Sequence, residues 1–415
     1  MDGTAVIEHL LAPQGRADPY PLYELARGLG PVIPCEGGIL LVTGYEEADR
    51  VLRDPAFIVQ NEAGQPSAAD AWSGGAAREV FGRSILETNG PDHARVRSLI
   101  ASVFTPRRVE ALRPAVAAAV ERLLDELAGR GAAGAPVDFM DAFAYRLPVG
   151  VICELLGVPE RDHHRFRALA ADLTAALELL VEPAESDAAD EAAEELTDYF
   201  VQLAARRAAH PRDDLVSALV RAGAQDGGRI GGHELIANLV VLLVAGFETT
   251  TNLLGNGLTL LLERPGTGAR LRAGHLAPSA FTEEVLRFDP PVQLTSRIAR
   301  GDGLRVGTLP APDGTAVLLL LGAANRDPAR YTRPDRFEPD RFDLGGSGAP
   351  RPAARPLSFG AGAHFCLGAR LARLEVDLAI PALLARFPRL TAAGPPVRRD
   401  RLVLRGYRTV PVTTG

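Results

Sequence analysis

The chain has 415 residues, of which 47% are hydrophobic and 23% charged, and its formal net charge is −7. It is therefore long enough for one large globular domain or two smaller ones, and without a block of like charge we expect neither nucleic acid nor an anionic membrane as its partner. All 45 residues of the Lys+Arg class are arginine, which excludes reactions that need a lysine amine, such as those of phosphate-loop nucleotidases, pyridoxal-phosphate enzymes and Schiff-base aldolases.

The N-terminus and the cysteines indicate the cellular compartment. Residues 1–21 contain neither a basic leader followed by an apolar segment nor a small-residue cleavage site, so we expect a cytoplasmic location. Cys35, Cys153 and Cys366 lie far apart in the sequence, and no two of them have the spacing of a metal site or a redox motif. We therefore expect no disulfide framework.

Three short strands and several long helices are predicted along the chain. The strands are GILLVTG around Ile39, TAVLLLLG around Val317 and RLVLRG around Leu402, each bounded by glycine or polar turn residues. Residues 109–130 and 187–210 repeat apolar positions at intervals of three and four, which predicts amphipathic surface helices.

The glycine-rich segments are interpreted as loops within one domain. The glycines at 129, 131 and 134 have GxGxxG spacing, but they follow a helical segment, whereas dinucleotide binding needs a strand, a glycine turn and then a helix. The Pro/Gly-rich stretch 345–356 is short enough for a surface loop, and no repeat is visible. We predict a mainly α fold with a small β-sheet region, formed by a single domain over residues 1–415.

A histidine and an arginine share one face of a predicted helix in NGPDHARVRSLI, residues 89–100. Pro91 suits the first helical position, so His93 and Arg97, four residues apart, project from the same side. Arginine binds carboxylates through charge-assisted, often bidentate hydrogen bonds, so the pair could hold an anionic cofactor edge. A plain helix surface would show the same spacing.

An acid and a hydroxyl interrupt the most apolar part of the chain. The apolar run 235–247 is thirteen residues long, which is short for a bilayer span and predicts a buried helix. Glu248 and Thr249 follow at once, and a buried acid is costly unless it has partners or a function. The alternative for Thr249 is a simple hydrogen bond back to a helix carbonyl.

Glu284 and Arg287 are three residues apart in FTEEVLRFDPP and can pair on one helical face. Exposed pairs of this kind are common and contribute little. The signal becomes informative only beside the motif that follows about eighty residues later in the sequence.

That motif is SFGAGAHFCLGARLAR, residues 358–373, in which Cys366 lies among glycines just before a predicted helix. Glycines permit a tight turn, and the N–H groups of a helix start stabilise a thiolate. The cysteine could be a nucleophile, an axial ligand of haem iron, or a small buried hydrophobe.

The segment resembles the haem-binding loop of the cytochrome P450 superfamily, with Phe359, Gly362, His364, Cys366 and Gly368 at matching positions. The resemblance implies haem b with the Cys366 thiolate as axial ligand, Phe359 packed near the sulfur and His364 near a haem propionate. The loop residues that it assigns to cofactor binding are Phe359, Gly360, His364, Cys366 and Gly368.

The resemblance extends from about Asp92 to Arg373 and gives the other motifs roles. Glu248 and Thr249 would relay protons, while the small Ala245 and Gly246 would leave room over the iron. The residues implied to bind the propionates are His93, Arg97 and Arg297. The residues implied to form a buried ion network that holds the cysteine loop are Glu284, Arg287 and Arg336, the last from a Pro-x-Arg-Phe element at 334–337.

The implied reaction is monooxygenation of a small organic molecule, with electrons from a separate ferredoxin and its reductase. Four arginines near the cysteine loop in sequence, Arg351, Arg355, Arg370 and Arg373, could form a docking face for an acidic ferredoxin or could simply be solvated. We expect a monomer without a membrane anchor.

The family draws its substrate pocket from residues 59–86 and 171–186, from the central helix and from the residues after Pro291. The individual candidates are Leu243, Val244, Phe247, Val292, Gln293 and Leu294, with Gln293 as the polar contact. Because these stretches are mostly apolar, we expect a sizeable apolar or amphipathic substrate, such as a polyketide, macrolide, terpenoid or peptide intermediate of secondary metabolism.

Two alternatives stay open. One is a haem-thiolate enzyme that couples, desaturates or rearranges its substrate without inserting oxygen. The other is a non-catalytic haem-binding protein that serves recruitment. The presence of both Glu248 and Thr249 favours oxygen activation over either of them.

Overall fold

Helices form most of the chain in the computed structural model, which describes residues 1–59, 75–224, 230–343 and 355–415. The α-helices are α1 Gly3–Leu11, α2 Pro13–Ala17, α3 Tyr20–Leu29, α4 Tyr45–Arg53, α5 Ala76–Gly82, α6 Gly90–Ala101, α7 Pro106–Ala111, α8 Arg113–Arg130, α9 Arg146–Leu156, α10 His163–Leu173, α11 Pro183–Ala209, α12 Leu215–Ala224, α13 Gly232–Glu263, α14 Pro265–Arg272, α15 Pro278–Phe288, α16 Leu321–Ala324 and α17 Ala369–Arg386. The strands are β1 Val32–Pro34, β2 Leu40–Val42, β3 Phe57–Ile58, β4 Val137–Asp138, β5 Leu294–Ala299, β6 Arg305–Val306, β7 Leu309–Pro310, β8 Ala316–Leu320, β9 Thr391–Ala392, β10 Val397–Arg398, β11 Tyr407–Thr409 and β12 Pro411–Thr413. The predicted mainly α class is confirmed.

The main sheet has five strands in the order β1-β2-β8-β5-β3. Its centre joins two of the predicted strands, since β2 runs parallel to β8 with Leu40 opposite Val317. β5 then runs antiparallel to β8, with Leu294 opposite Leu320. β8 is buried along most of its length, as expected for a leucine-rich central strand.

The third predicted strand, around Leu402, is wrong. The backbone N–H groups of Leu402, Val403 and Leu404 donate instead to the carboxylate of Glu178, at 2.8, 2.9 and 3.1 Å. A single isolated bridge joins Leu404 to Val292. The carboxylate takes the donors that a neighbouring strand would have used.

Helix boundaries follow proline and capping residues. The predicted helix over 109–130 is two helices, because Pro114 lies in the first turn of α8, where its missing N–H costs nothing. α11 begins earlier than expected, where Glu182 and Glu185 form a capping box. The glycines with GxGxxG spacing lie at the end of α8 and in the short turn Ala132–Gly134, as predicted.

The core is organised around α13, which has 32 residues and is buried along nearly all of its length. It packs against α9, α11, α15 and α17. Within the described residues it is the one helix long and apolar enough to cross a membrane, but 72% of its apolar window is buried inside the protein. The helix is thus much longer than the thirteen-residue apolar run suggested, whereas the prediction of a buried helix is confirmed.

Candidate functional site

The cysteine loop runs from the 3₁₀ turn Leu357–Phe359 to the start of α17. The Cys366 N–H donates to the Phe359 carbonyl at 3.0 Å and closes the loop. Gly360 and Gly362 both have φ of 68°, a conformation that L side chains rarely adopt. A Cβ on Gly362 would also lie 2.3 Å from the Leu52 carbonyl oxygen. The loop therefore packs directly on the backbone at the end of α4.

Cys366 is exposed to solvent as a residue, although protein atoms closely surround its sulfur. Burial by the surrounding protein raises its pKa, while the N–H groups of Gly368 and Ala369 and the charges of Arg373 and Arg97 oppose this increase. The helix start therefore supplies the predicted stabilisation of a thiolate. A bound metal cation would complete the deprotonation.

Two histidines and two arginines gather beside the cysteine. The rings of His93 and His364 are 4.0 Å apart between centroids, and Arg97 donates to the Phe365 carbonyl at 2.6 Å. Arg297 is 5% exposed and donates only to Ser296 O and Thr295 Oγ1. The structure thus brings these four residues together beside the loop.

These four residues have no acidic counterpart in the described part of the chain. Burial, together with the charges of His93, Arg297 and Arg97, lowers the pKa of His364 to about 3, and burial lowers that of Arg297 to about 10. His93 Nε2 is buried without a partner. A cofactor that carries carboxylates and a metal needing one thiolate ligand fits these donors.

One face of α13, its open face, is less buried than the rest of the helix. Ala245 is exposed, and Leu242 and Thr249, three residues before and four after it, are partly exposed. The Thr249 hydroxyl donates to Ala245 O at 3.0 Å, which is the back-bond weighed as the alternative role. Gly246 points elsewhere, since a Cβ there would lie 2.7 Å from Ile152 Cγ1 of α9.

Glu248 lies on the packed side of α13 and is 1% exposed. Arg399 donates one hydrogen bond to Glu248 Oε1 and another to the Tyr145 hydroxyl. The second carboxyl oxygen, Oε2, is buried without a partner. Burial raises the pKa of Glu248, and the positive charge of Arg399 opposes the increase.

The Glu284–Arg287 pair is fully buried, at 0% exposure of both side chains. Two parallel hydrogen bonds of 2.7 Å join the guanidinium to the carboxylate. Asn325 continues the network to the cysteine loop, because it accepts from the Leu357 N–H at 2.7 Å and donates to Ser358 Oγ at 2.9 Å. The predicted link between this ion pair and the loop is thus present.

The comparisons with known proteins agree with this arrangement. The family model described as Cytochrome P450 matches residues 39–274 and 279–404. The 6-deoxyerythronolide B hydroxylase of Saccharopolyspora erythraea is 37% identical over 406 residues, which cover 95% of this chain and 96% of that protein. The chain belongs to the cytochrome P450 family.

Solved P450 structures match the whole fold. Ligand-free CYP164A2 of Mycobacterium smegmatis gives a TM-score of 0.87 at 39% identity, over 99% of this chain and 100% of that one. P450BioI, solved in complex with an acyl carrier protein ligated to hexadec-9Z-enoic acid, gives 0.85 at 32% identity, over 97% and 100%. The chain is a haem-thiolate monooxygenase of this family, whose haem is bound by a cysteine.

Two predicted features of the P450 ion network are corrected. Arg336 contributes its carbonyl oxygen, which accepts from Arg287 at 2.9 Å, while its side chain is exposed. The third charged side chain is Arg341, whose Nε lies 3.5 Å from Glu284 Oε1. The Pro-x-Arg-Phe motif indicated the correct segment but the wrong arginine, because only the fold determines which side chain turns inward.

Most of the predicted substrate contacts of the P450 are also corrected. Leu243, Val244 and Phe247 are at most 2% exposed and belong to the main hydrophobic core. The open face of α13 instead presents Leu242, which the sequence analysis did not select. Because α13 is apolar on almost every side, its periodicity could not show which face is open.

Of the candidate substrate contacts after Pro291, two are buried and one is partly exposed. Gln293 is fully buried, donates to Pro290 O at 2.7 Å and accepts from the Tyr23 hydroxyl at 3.2 Å, so it is not a polar substrate contact. Leu294 packs in the N-terminal core cluster at 4% exposure, whereas Val292 is partly exposed and stays a candidate.

Three polar residues near the site were missed. Arg399 contacts Glu248 and donates to the Tyr145 hydroxyl, and Glu375 of α17 is a buried carboxyl whose Oε2 has no partner in the described part of the chain and whose pKa is raised well above its usual value by burial. Glu375 lies between Arg373 and Asp377 in LARLEVDLAI, and the apolar residues around these charges were its only sequence signal. Arg399 gave none, because it lies among other exposed-looking arginines near the C-terminus.

Proposed function

We propose that this P450 inserts one atom of dioxygen into a C–H or C=C bond of a large, mostly apolar polyketide or macrolide intermediate. The observation that carries the proposal is the exposed Cys366 in a loop beside which His93, Arg97, Arg297 and His364 gather. The name of the hydroxylase from S. erythraea supports a macrolide-type substrate. The apolar side chain of Leu242 on the open face agrees with it.

In this proposal Cys366 binds the haem iron, and His93, Arg97, Arg297 and His364 hold the haem carboxylates. Gly360 and Gly362 give the loop its shape, and Gly368 and Phe359 flank the sulfur. When bound, the haem supplies the activation of dioxygen that no side chain of the chain can provide. The protein contributes a fixed thiolate, charge neutralisation at the cofactor edge and an apolar surface for the substrate.

Thr249 and Glu248 are proposed to deliver protons. The Thr249 hydroxyl lies on the open face of α13. It can give up its hydrogen bond to Ala245 O, so that Oγ1 donates its proton elsewhere. Glu248 Oε2, which has no hydrogen-bond partner, can hold the proton that restores it. An acid whose pKa is raised by burial suits this task better than a fully ionised one.

Electrons are proposed to arrive from a ferredoxin and its reductase. Arg355 and Arg370 are exposed beside the cysteine loop and are available for docking. Arg373 is not, since its guanidinium pairs with Glu283 and covers the Phe359 ring at 4.5 Å. Arg351 lies outside the described residues. We further propose a cytoplasmic monomer; among the described residues, the one span-length apolar helix is mostly buried inside the protein.

Substrate binding and product mass test the function. A macrolactone, a fatty acid and a steroid are titrated against the haem protein while the Soret band is followed, and each binder is then turned over with ferredoxin, reductase and ¹⁸O₂. We expect the macrolactone to bind most tightly and its product to gain one ¹⁸O atom. A product without label would favour desaturation or coupling, and reductant consumption that no compound stimulates would contradict an enzymatic role.

The Arg297→Leu variant separates cofactor binding from fold stability. Arg297 is a buried cation without an acidic partner in the described residues, so its removal should stabilise the haem-free protein. The same change should speed haem transfer to apomyoglobin by about 10- to 100-fold, since a hydrogen bond to a charged group contributes about 1.5–3 kcal/mol. The control is Arg300→Leu, an arginine near Asp313 on the surface. Equal haem loss from both variants would contradict propionate binding by Arg297.

A further inference from the structure

Glu248 depends on an arginine that lies outside every motif of the sequence. Its side chain is 1% exposed, and its ion-pair partner is Arg399, which is 151 residues away in the chain. Only Oε1 takes part in this contact, while Oε2 has no partner. The acid is thus anchored at one oxygen and free at the other.

Arg399 is itself held from several sides. Its second terminal nitrogen donates to the Tyr145 hydroxyl, and Arg167 of α10 lies over the Tyr145 ring at 4.0 Å. Neighbouring residues of the 398–405 segment are fixed too, because Arg398 and Arg405 both pair with the buried Asp289, at 2.8 and 2.9 Å. The guanidinium of Arg399 therefore reaches Glu248 from a well-anchored backbone.

We infer that Arg399 is a positioning residue for the proton-delivering acid: it fixes Glu248 Oε1, leaves Oε2 for the proton, and supplies the positive charge that lets this buried carboxyl ionise. The inference rests on the proposed role of Glu248 and adds the group that controls it. Arg399 contacts Glu248 and Tyr145, so its effect is expected to pass through Glu248.

The expected pH dependence follows from the groups that reach Glu248. In the described part of the chain these are Arg399 from the 398–405 segment, Arg167 from α10 and the phenol of Tyr145 before α9. Burial raises the pKa of Glu248 and the two arginines lower it. Without Arg399, less positive charge opposes the increase that burial causes in the pKa of Glu248. The protonated acid should therefore persist to higher pH.

The test compares Arg399→Gln, Arg399→Lys and Glu248→Gln in the haem-loaded protein. The C=O stretch of protonated Glu248 is identified as the infrared band lost in Glu248→Gln, and its intensity is titrated with pH. We expect the midpoint to rise by about one pH unit or more in Arg399→Gln and to return most of the way in Arg399→Lys, because lysine restores the charge but not the paired donors.

Turnover gives the second readout. In Arg399→Gln, product per reductant consumed should fall about tenfold while substrate affinity is unchanged, because the acid is no longer held for proton transfer. Tyr145→Phe, which removes only the hydroxyl that accepts from Arg399, should shift the infrared midpoint in the same direction by less. The control is Arg270→Gln, which breaks an exposed pair with Asp340.

The proposed proton role of Glu248 and the inference about Arg399 would be contradicted by different results. If Glu248→Gln turns over like the wild type, the proposed proton role of Glu248 is wrong. If Glu248→Gln is slow but Arg399→Gln keeps the wild-type midpoint and yield, the inference about Arg399 is overturned and the proposed function stands. Should Arg399→Gln fail to fold, an unmoved midpoint in Tyr145→Phe overturns it equally.

Discussion

Replacing Cys366 with serine is expected to abolish monooxygenation and the strongly red-shifted Soret band of the reduced, carbon monoxide-bound protein. Serine keeps the size of the side chain and the loop with its Phe359 contact. Its hydroxyl, however, is a far weaker acid than a thiol and does not supply an anionic ligand as a thiolate does. The electron-donating axial ligand is therefore lost. The measurement is the absorption spectrum of the reduced protein with and without carbon monoxide, followed by turnover with the best-binding substrate.

The matched control for this variant is Cys35→Ser. Cys35 is partly buried near the N-terminus, and its sulfur makes a long contact of 3.8 Å to Ile33 O. Its replacement should leave spectrum and turnover as in the wild type. Cys153 would be a poor control, because it is fully buried in the core. A Cys366→Ser protein that retains the red-shifted band would contradict the ligand assignment.

Neutralising Glu284 by Glu284→Gln is expected to cost about 3–5 kcal/mol of the free energy of unfolding, the range for breaking a buried ion pair. The change leaves the guanidinium of Arg287, at 0% exposure, without its only acidic partner at salt-bridge distance in the described residues. Urea unfolding at fixed pH measures the loss. Since Asn325 connects this region to the cysteine loop, haem affinity should fall as well.

A surface pair serves as the reference for that experiment. Asp340→Asn breaks a contact with Arg270 in which both side chains are about half exposed, so it should cost less than about 1 kcal/mol. A double variant, Glu284→Gln with Arg287→Met, should recover part of the loss, because no unpaired charge then remains buried. A loss from Glu284→Gln no greater than that of the surface pair would count against a buried network.

The parts of the site that depend on local sequence were predictable. The glycines around Cys366 and the helix that follows it are determined within sixteen residues, 358–373, and the Glu284–Arg287 pair depends on one turn of helix. Positive φ angles and i,i+3 neighbours are local properties of the backbone. The structure therefore agrees with the sequence analysis where the reasoning was local.

The parts that depend on tertiary packing were not predictable. Gln293 turns toward Tyr23 rather than toward a substrate, and Arg341 replaces the side chain of Arg336 in the ion network. Each outcome is decided by which backbone lies opposite, and neither changes the local pattern. The contact of Arg399 with Glu248 is of the same kind, since it joins two segments that no spacing rule connects.

The carboxylate of Glu178 accepts hydrogen bonds from three neighbouring backbone amides. Leu402, Val403 and Leu404 donate to one side chain, which belongs to the segment between α10 and α11. None of these hydrogens can exchange with deuterium until that segment separates from the C-terminal part of the chain. Their shared exchange rate is therefore a built-in measure of how often the two segments part.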